Sequence, residues 1–158
     1  MSDAAVFVQG WMVMLREAFE GGQPGQGAAF LNITQRNGGG NHGLFATLAA
    51  LTPEQASDDH ASGTSAAAHA AHVAYHLEVS LRQVRGEFEP VDWPGSFEPR
   101  VINEAEWEKV QARIHAAYKD LVALADVTTA WNVQSAGGMA AILAHTAYHL
   151  GAIRQVAK

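Results

Sequence analysis

Eight histidines are spread over the 158 residues, and five of them fall in two short windows: His69, His72 and His76, then His145 and His149. Each window contains the string His-x-Ala-Tyr-His-Leu, from His72 to Leu77 and from His145 to Leu150. On a helix, residues four apart lie on the same side about one turn from each other. His145 and His149 can therefore offer two imidazoles to one metal ion, as the two histidines of His-Glu-x-x-His proteases do. Thr146 and Ala147 follow His145, so the glutamate of that motif is missing and a metalloprotease is excluded. The chain has no cysteine, which removes thiolate catalysis, disulfides and Cys-ligated zinc. Histidine and carboxylate remain as the metal ligands of any strength.

The helical wheel supports a ligand role. Stepping about 100° per residue from Ile142, Thr146 and Ile153 fall within about 40° on one side, His149 at about −20° and His145 at about −60°. Both imidazoles lie on or beside an apolar face. Two polar rings facing a bundle interior need partners, because an unsatisfied buried polar group costs roughly 1–3 kcal/mol. One metal ion satisfies both. A lone histidine on a helix is ordinarily a surface or hydrogen-bonded core residue, and i, i+4 pairs arise by chance in alanine-rich helices. The second cluster on another long helix tips the balance towards ligands. There, His69, His72 and His76 fall within an arc of about 60° beside Val73, Leu77 and Val84. Any of the three could face the interior, and periodicity does not choose among them.

The elements that must position these residues are helices. Thirty residues are alanine, and the periodic segments are long with few β-branched runs. A first helix runs from a cap at Ser2 or Asp3 to about Glu20, with an apolar stripe of Phe7, Trp11, Met14 and Ala18. Gly21-Gly22 and Pro24 end it. Residues 21–43, rich in Gly, Asn and Gln, read as a long loop that encloses a helical turn near Phe30–Ile33. A short helix spans Leu44 to Leu51, and Pro53 can begin another turn. The second long helix, capped by Thr64 or Ser65, extends to about Gly86. Pro90, Pro94 and Pro99 make 90–100 irregular. Asn103 with Glu106 resembles a capping box and starts the third long helix, which runs to about Ala125. Gly137-Gly138 precedes a fourth, from about Met139 to Ala157. The reading is an all-α chain, a single domain over 1–158: a four-helix bundle with long loops.

Composition narrows the partners. The net charge of −6 argues against nucleic acid and anionic membranes. No apolar run approaches the ~18 residues that span a bilayer, and the acidic start lacks the charged region of a signal peptide. A cytoplasmic protein is expected.

The chain resembles the DinB-like superfamily, which includes the YfiT-type metal-dependent hydrolases. The resemblance rests on the helix from Ser65 through His72 to Glu78, on Asp92-Trp93-Pro-Gly-Ser96-Phe97, on Trp107, and on His145-Thr-Ala-Tyr-His149-Leu-Gly151-Ala-Ile153. The last string is similar to the family's terminal-helix pattern His-x3-His-x-Gly-x-Ile. The resemblance covers Leu44 to Val156 and implies an up-and-down-type four-helix bundle with a divalent metal on three histidines, one from the second long helix and two from the fourth. Carried over, these are His72, His145 and His149, His72 being seven residues beyond the capping Ser65. His76 stands as the substitute on the second long helix.

Three neutral imidazoles leave coordination positions for water or substrate, the catalytic rather than structural arrangement. Zinc and nickel both suit imidazole. Relatives that are thiol-dependent transferases fit a metal that holds a thiolate, which makes a small thiol or an electrophile the expected partner. The alternative is a non-catalytic metal-binding or stress-associated helical dimer. His76, Tyr75 and Tyr148 are candidates for proton transfer or a phenolic hydrogen bond, and His42 for a general base, although packing or solvation is the commoner fate of each. Trp93 and Trp107 read as core or interface anchors, and Arg82, Arg85 and Arg154 as solvated positions. The glycines at 38–40 lack the context of a phosphate loop. A homodimer is expected from the resemblance and from a surplus of aromatic surface at Phe7, Trp11 and Phe19. Bound imidazole must be neutral, so metal affinity is expected to fall below the ordinary His pKa of ~6.5.

Overall fold

The computed structural model describes residues 3–22, 43–59, 63–128 and 130–156, and every regular element among them is helical. Four long helices carry the fold: α1 (Asp3–Glu20), α4 (Ala66–Val84), α5 (Glu104–Val127) and α6 (Val133–Val156). Two short ones, α2 (Leu44–Ala49) and α3 (Pro53–Ser57), lead into α4, and a 3₁₀ turn at Gly95–Phe97 lies in the connection to α5. The expected loop at 21–43, its turn near Phe30, His42 and the glycines at 38–40 fall outside the described residues but for the ends at 21–22 and 43.

Local chemistry fixes most of the ends. The Ser65 hydroxyl accepts from Ala68 N–H (3.1 Å) and donates to Arg100 O (2.6 Å), capping α4 and tying it to the segment before α5. At the other end Gly86, at φ 82°, donates to Gln83 O while Glu87 N–H donates to Arg82 O, the paired bonds of a Schellman stop. Asn103 and Glu106 form the reciprocal capping box of α5 (2.9 and 3.0 Å), and Thr52 with Gln55 does the same ahead of Pro53. The start of α6 differs from expectation. It begins six residues before Met139, where Asn132 N–H donates to Ser135 Oγ and Ser135 N–H to Asn132 Oδ1. The helix then runs through Gly137 and Gly138, since a helical glycine costs only about 1 kcal/mol against alanine and does not stop a well-capped helix.

The long helices close a ring in which α4 touches α5 and α6, and α1 touches α6 and α5. Direction follows from the cross-links. Ser65–Arg100, Glu78–Arg113 and Arg85–Asp120 all pair at an offset of 35, so α4 and α5 run parallel. Against α6 the order reverses, His69 meeting His149 and His76 meeting His145, so that pair is antiparallel. The parallel α4–α5 pair departs from the up-and-down arrangement implied by the resemblance. A helix as long as α4 (19 residues) spans about 28 Å, and the connection over 85–103 can reach back along it because an extended chain covers about 3.3 Å per residue.

The core joins Leu15, Ala18 and Phe19 of α1 to Leu77 of α4, Trp107, Ile114 and Leu121 of α5, and Leu150 and Ile153 of α6. Trp107 is an anchor as expected, its Nε1–H donating to Leu51 O (3.1 Å). On α1 the buried face is Trp11, Leu15, Ala18 and Phe19, while Phe7 is 65% exposed. The stripes 7-11-14-18 and 11-15-18 share Trp11 and Ala18, and only packing against the neighbouring helices selects between them. Two of the three aromatics behind the dimer expectation, Trp11 and Phe19, thus belong to the chain's own core. No helix among the described residues is long and apolar enough to cross a membrane.

Candidate metal centre

The first half of α4 is rich in buried alanine (Ala66–Ala68, Ala70, Ala71 and Ala74), and the helix packs on α6 as well as on α5. The two histidine windows meet across the α4–α6 contact. His145 lies between two rings of α4, stacked on His76 with centroids 3.7 Å apart and 4.9 Å from His72. His149 is 4.8 Å from His72, 5.1 Å from His69 and 4.4 Å from His145. Among the described residues the group with metal-ligand geometry is His72, His145 and His149, with one ligand atom of each mutually within 4.8 Å. His72 and His149 are buried at 8% and 4% exposure, and His145 is half-buried.

Nitrogen by nitrogen, the site is specific. His72 Nε2 and His145 Nε2 are 3.0 Å apart, a separation that two metal–nitrogen bonds of about 2.0–2.1 Å span. His72 Nδ1 faces the Ser96 hydroxyl at 2.5 Å. His149 Nδ1 and His69 Nδ1 are 2.9 Å apart, so the two rings share a proton and His69 orients His149 from outside the three-ligand group. The Nδ1 atoms of His145 and His76 are buried without a hydrogen-bond partner. What points to an ion is the pair of Nε2 atoms, since one metal bound between them would take a lone pair from each ring at once. Three imidazoles suit zinc, nickel or another transition ion rather than calcium or magnesium.

Burial sets the protonation. Removal from water, reinforced by neighbouring imidazoles, lowers His145 to about 4 and His149 to about 3. His76 is brought to about 4 for the same reasons, and His69 and His72 are also lowered by burial. All five are neutral at physiological pH, the form a metal requires. Proton competition therefore sets in well below the ~6.5 expected for an ordinary histidine.

The walls come from the irregular 92–97 segment. Phe97 stacks on His72 at 4.0 Å, and Trp93, 38% exposed, stands 6.1 Å from His72 and 6.0 Å from His76. Trp93 is thus a wall of the site and not a core anchor. Tyr75 does not point a free hydroxyl at the histidines, because its oxygen accepts from Asp92 N–H (2.9 Å). Tyr148 is 70% exposed and meets His149 edge-on at 5.0 Å. Of the three proton-transfer candidates, His76 is the one against a candidate ligand with its ring face. His115 stacks on Phe45 at 3.7 Å, outside the cluster, and His60 falls outside the described residues. Arg82 and Arg85 sit at the surface paired with Glu89 and Asp120, but Arg154 is half-buried with Nη2 enclosed and unpartnered, contrary to its reading as solvated. Sequence reasoning missed Ser96 and His69 as partners of the ligand set. His69 had a signal in its position one turn before His72, whereas Ser96 stood only within the Asp92–Phe97 string of the resemblance and without a role, since nothing local says where an irregular segment will fold.

No family model, no curated protein and no solved structure matches this chain.

Proposed function

We propose that this protein holds one divalent transition-metal ion on His72, His145 and His149 and that it is a metal-dependent enzyme of the thiol-transferase or hydrolase type. The observation that carries the reading is the convergence of those three ligand atoms within 4.8 Å in a buried setting. Three protein ligands is the count of catalytic sites that keep a position open. A bound ion supplies Lewis acidity, either to lower the pKa of a water or to hold a thiolate. The chain's own residues divide the rest of the work. His69 and Ser96 orient the ligand rings, Trp93 and Phe97 exclude water from one side, and His76 backs His145 with its ring face. Membership of the DinB-like superfamily, zinc or nickel as the ion, and a homodimer are parts of the same proposal. The non-catalytic alternative, a metal-binding or stress-associated helical dimer, draws support from how deeply His72 and His149 are buried.

Metal analysis of protein purified without a nickel column tests the first half, with one equivalent of zinc or nickel expected. A panel of small thiols with electrophiles, and of ester and amide substrates, tests the second. Absence of metal under chelator-free conditions, with none taken up on addition, removes the reading. Light scattering at micromolar concentration decides the dimer against a monomer of 16.8 kDa.

A further inference from the structure

The geometry points to Ser96 as a positioning residue that fixes the tautomer of His72, and to the 92–97 turn as the device that holds Ser96 in place. The inference rests on the proposed three-histidine site and adds a determinant of which nitrogen of His72 faces the ion. Ser96 Oγ stands 2.5 Å from the carbonyl oxygen of Trp93 and 2.5 Å from His72 Nδ1. A carbonyl oxygen only accepts, and two oxygens that close need a proton between them, so the single hydroxyl hydrogen of serine is committed to Trp93 O. Towards His72 the serine oxygen can then only accept. His72 must place its ring hydrogen on Nδ1, which leaves a lone pair on Nε2. That nitrogen is the one 3.0 Å from His145 Nε2.

The turn is built to keep the serine there. Asp92 O accepts from Ser96 N–H (3.1 Å), Asp92 Oδ1 accepts from Gly95 N–H (2.9 Å), and Asp92 N–H donates to the Tyr75 hydroxyl on α4, one turn beyond His72. A Cβ on Gly95 would stand 2.2 Å from Asp92 Oδ2, so any larger residue there has to push the Asp92 carboxylate out of its present place in the turn. Phe97 clamps the His72 ring flat. Ser96 itself is 6% exposed, so water does not compete for the lone pair it offers His72.

The test has two arms. In the first, long-range ¹⁵N–¹H spectra of the metal-free protein read the His72 tautomer. Wild type is expected to show the hydrogen on Nδ1, and Ser96→Ala a mixture of both forms. A wild-type His72 carrying its hydrogen on Nε2, or an unchanged tautomer in Ser96→Ala, overturns the inference. The second arm is a zinc titration, in which Ser96→Ala is expected to bind about ten- to a hundredfold more weakly, as loss of a partner to a metal-ligating histidine ordinarily costs. Ser65→Ala controls for merely structural damage. It removes the α4 cap and the bond to Arg100 O, and is expected to lower the melting temperature while leaving zinc affinity within about threefold. Equal losses of affinity in Ser96→Ala and Ser65→Ala overturn the positioning role. A wild type that takes up no zinc but keeps His72 as the Nδ1–H tautomer removes the proposed metal function and leaves the serine–histidine pairing standing.

Discussion

The strings His72–Leu77 on α4 and His145–Leu150 on α6 share five of six letters and have opposite fates. On α4 the first histidine joins the three-ligand group and the second, His76, lies outside it. On α6 both join it. The tyrosine of the α4 copy accepts a hydrogen bond from Asp92 N–H, and that of the α6 copy projects into solvent. Because the two helices run antiparallel, the copies meet head to tail, so each position faces the other string in reverse order: His72 reaches both His145 and His149, while His76 stacks on His145. The environment that the rest of the fold adds, Ser96 and Phe97 around His72 and His69 beside His149, completes the difference. A repeated motif is therefore not a repeated site.

The largest expected effect breaks the comparison at its histidines. His149→Ala or His72→Ala should abolish stoichiometric zinc binding after dialysis against a weak chelator, while His76→Ala should weaken it by less than about threefold and His115→Ala not at all. If His76→Ala loses the metal and His72→Ala keeps it, the α4 ligand is His76 and not His72.

Next comes pH. His76, His145 and His149 have folded-state values of about 4, 4 and 3, below the ~6.5 of an unfolded histidine. The native state then binds fewer protons than the unfolded chain, so the stabilisation is fully present above pH ~6.5 and is lost as pH falls towards 4 and below. The urea midpoint of metal-free protein should drop steadily between pH 6.5 and 4, and zinc should raise the midpoint by an amount that shrinks as pH falls, because protons compete for the nitrogens through which the ion stabilises the folded state. A midpoint flat over that range would mean the rings are not buried neutral.

The smallest effect separates the tyrosines. Tyr75→Phe leaves Asp92 N–H without its acceptor and should lower stability by about 1 kcal/mol. Tyr148→Phe should stay within about 0.5 kcal/mol of wild type, as surface changes do. Urea unfolding of both variants checks this, and equal losses would show that the loop tie contributes nothing.

What the sequence determined by itself is what short-range physics controls. The Ser65 cap, the Asn103–Glu106 box, Pro53 at a helix start and the i, i+4 pair His145–His149 depend on residues a turn apart, so their readings survive folding unchanged. The choice among His69, His72 and His76 was different. All three share one face of α4, and the resemblance rather than the periodicity named His72. In the fold His72 is the one grouped with His145 and His149, because antiparallel α6 crosses at that level, and the 92–97 turn brings Ser96 and Phe97 to the same ring. Whereas the start of α6 rests on the local Asn132–Ser135 pair, the direction of α5 against α4 and the buried face of α1 were likewise decided by tertiary packing. Each is a choice between local alternatives of nearly equal energy, a difference too small for a few residues of sequence to express and large enough for a packed interior to settle.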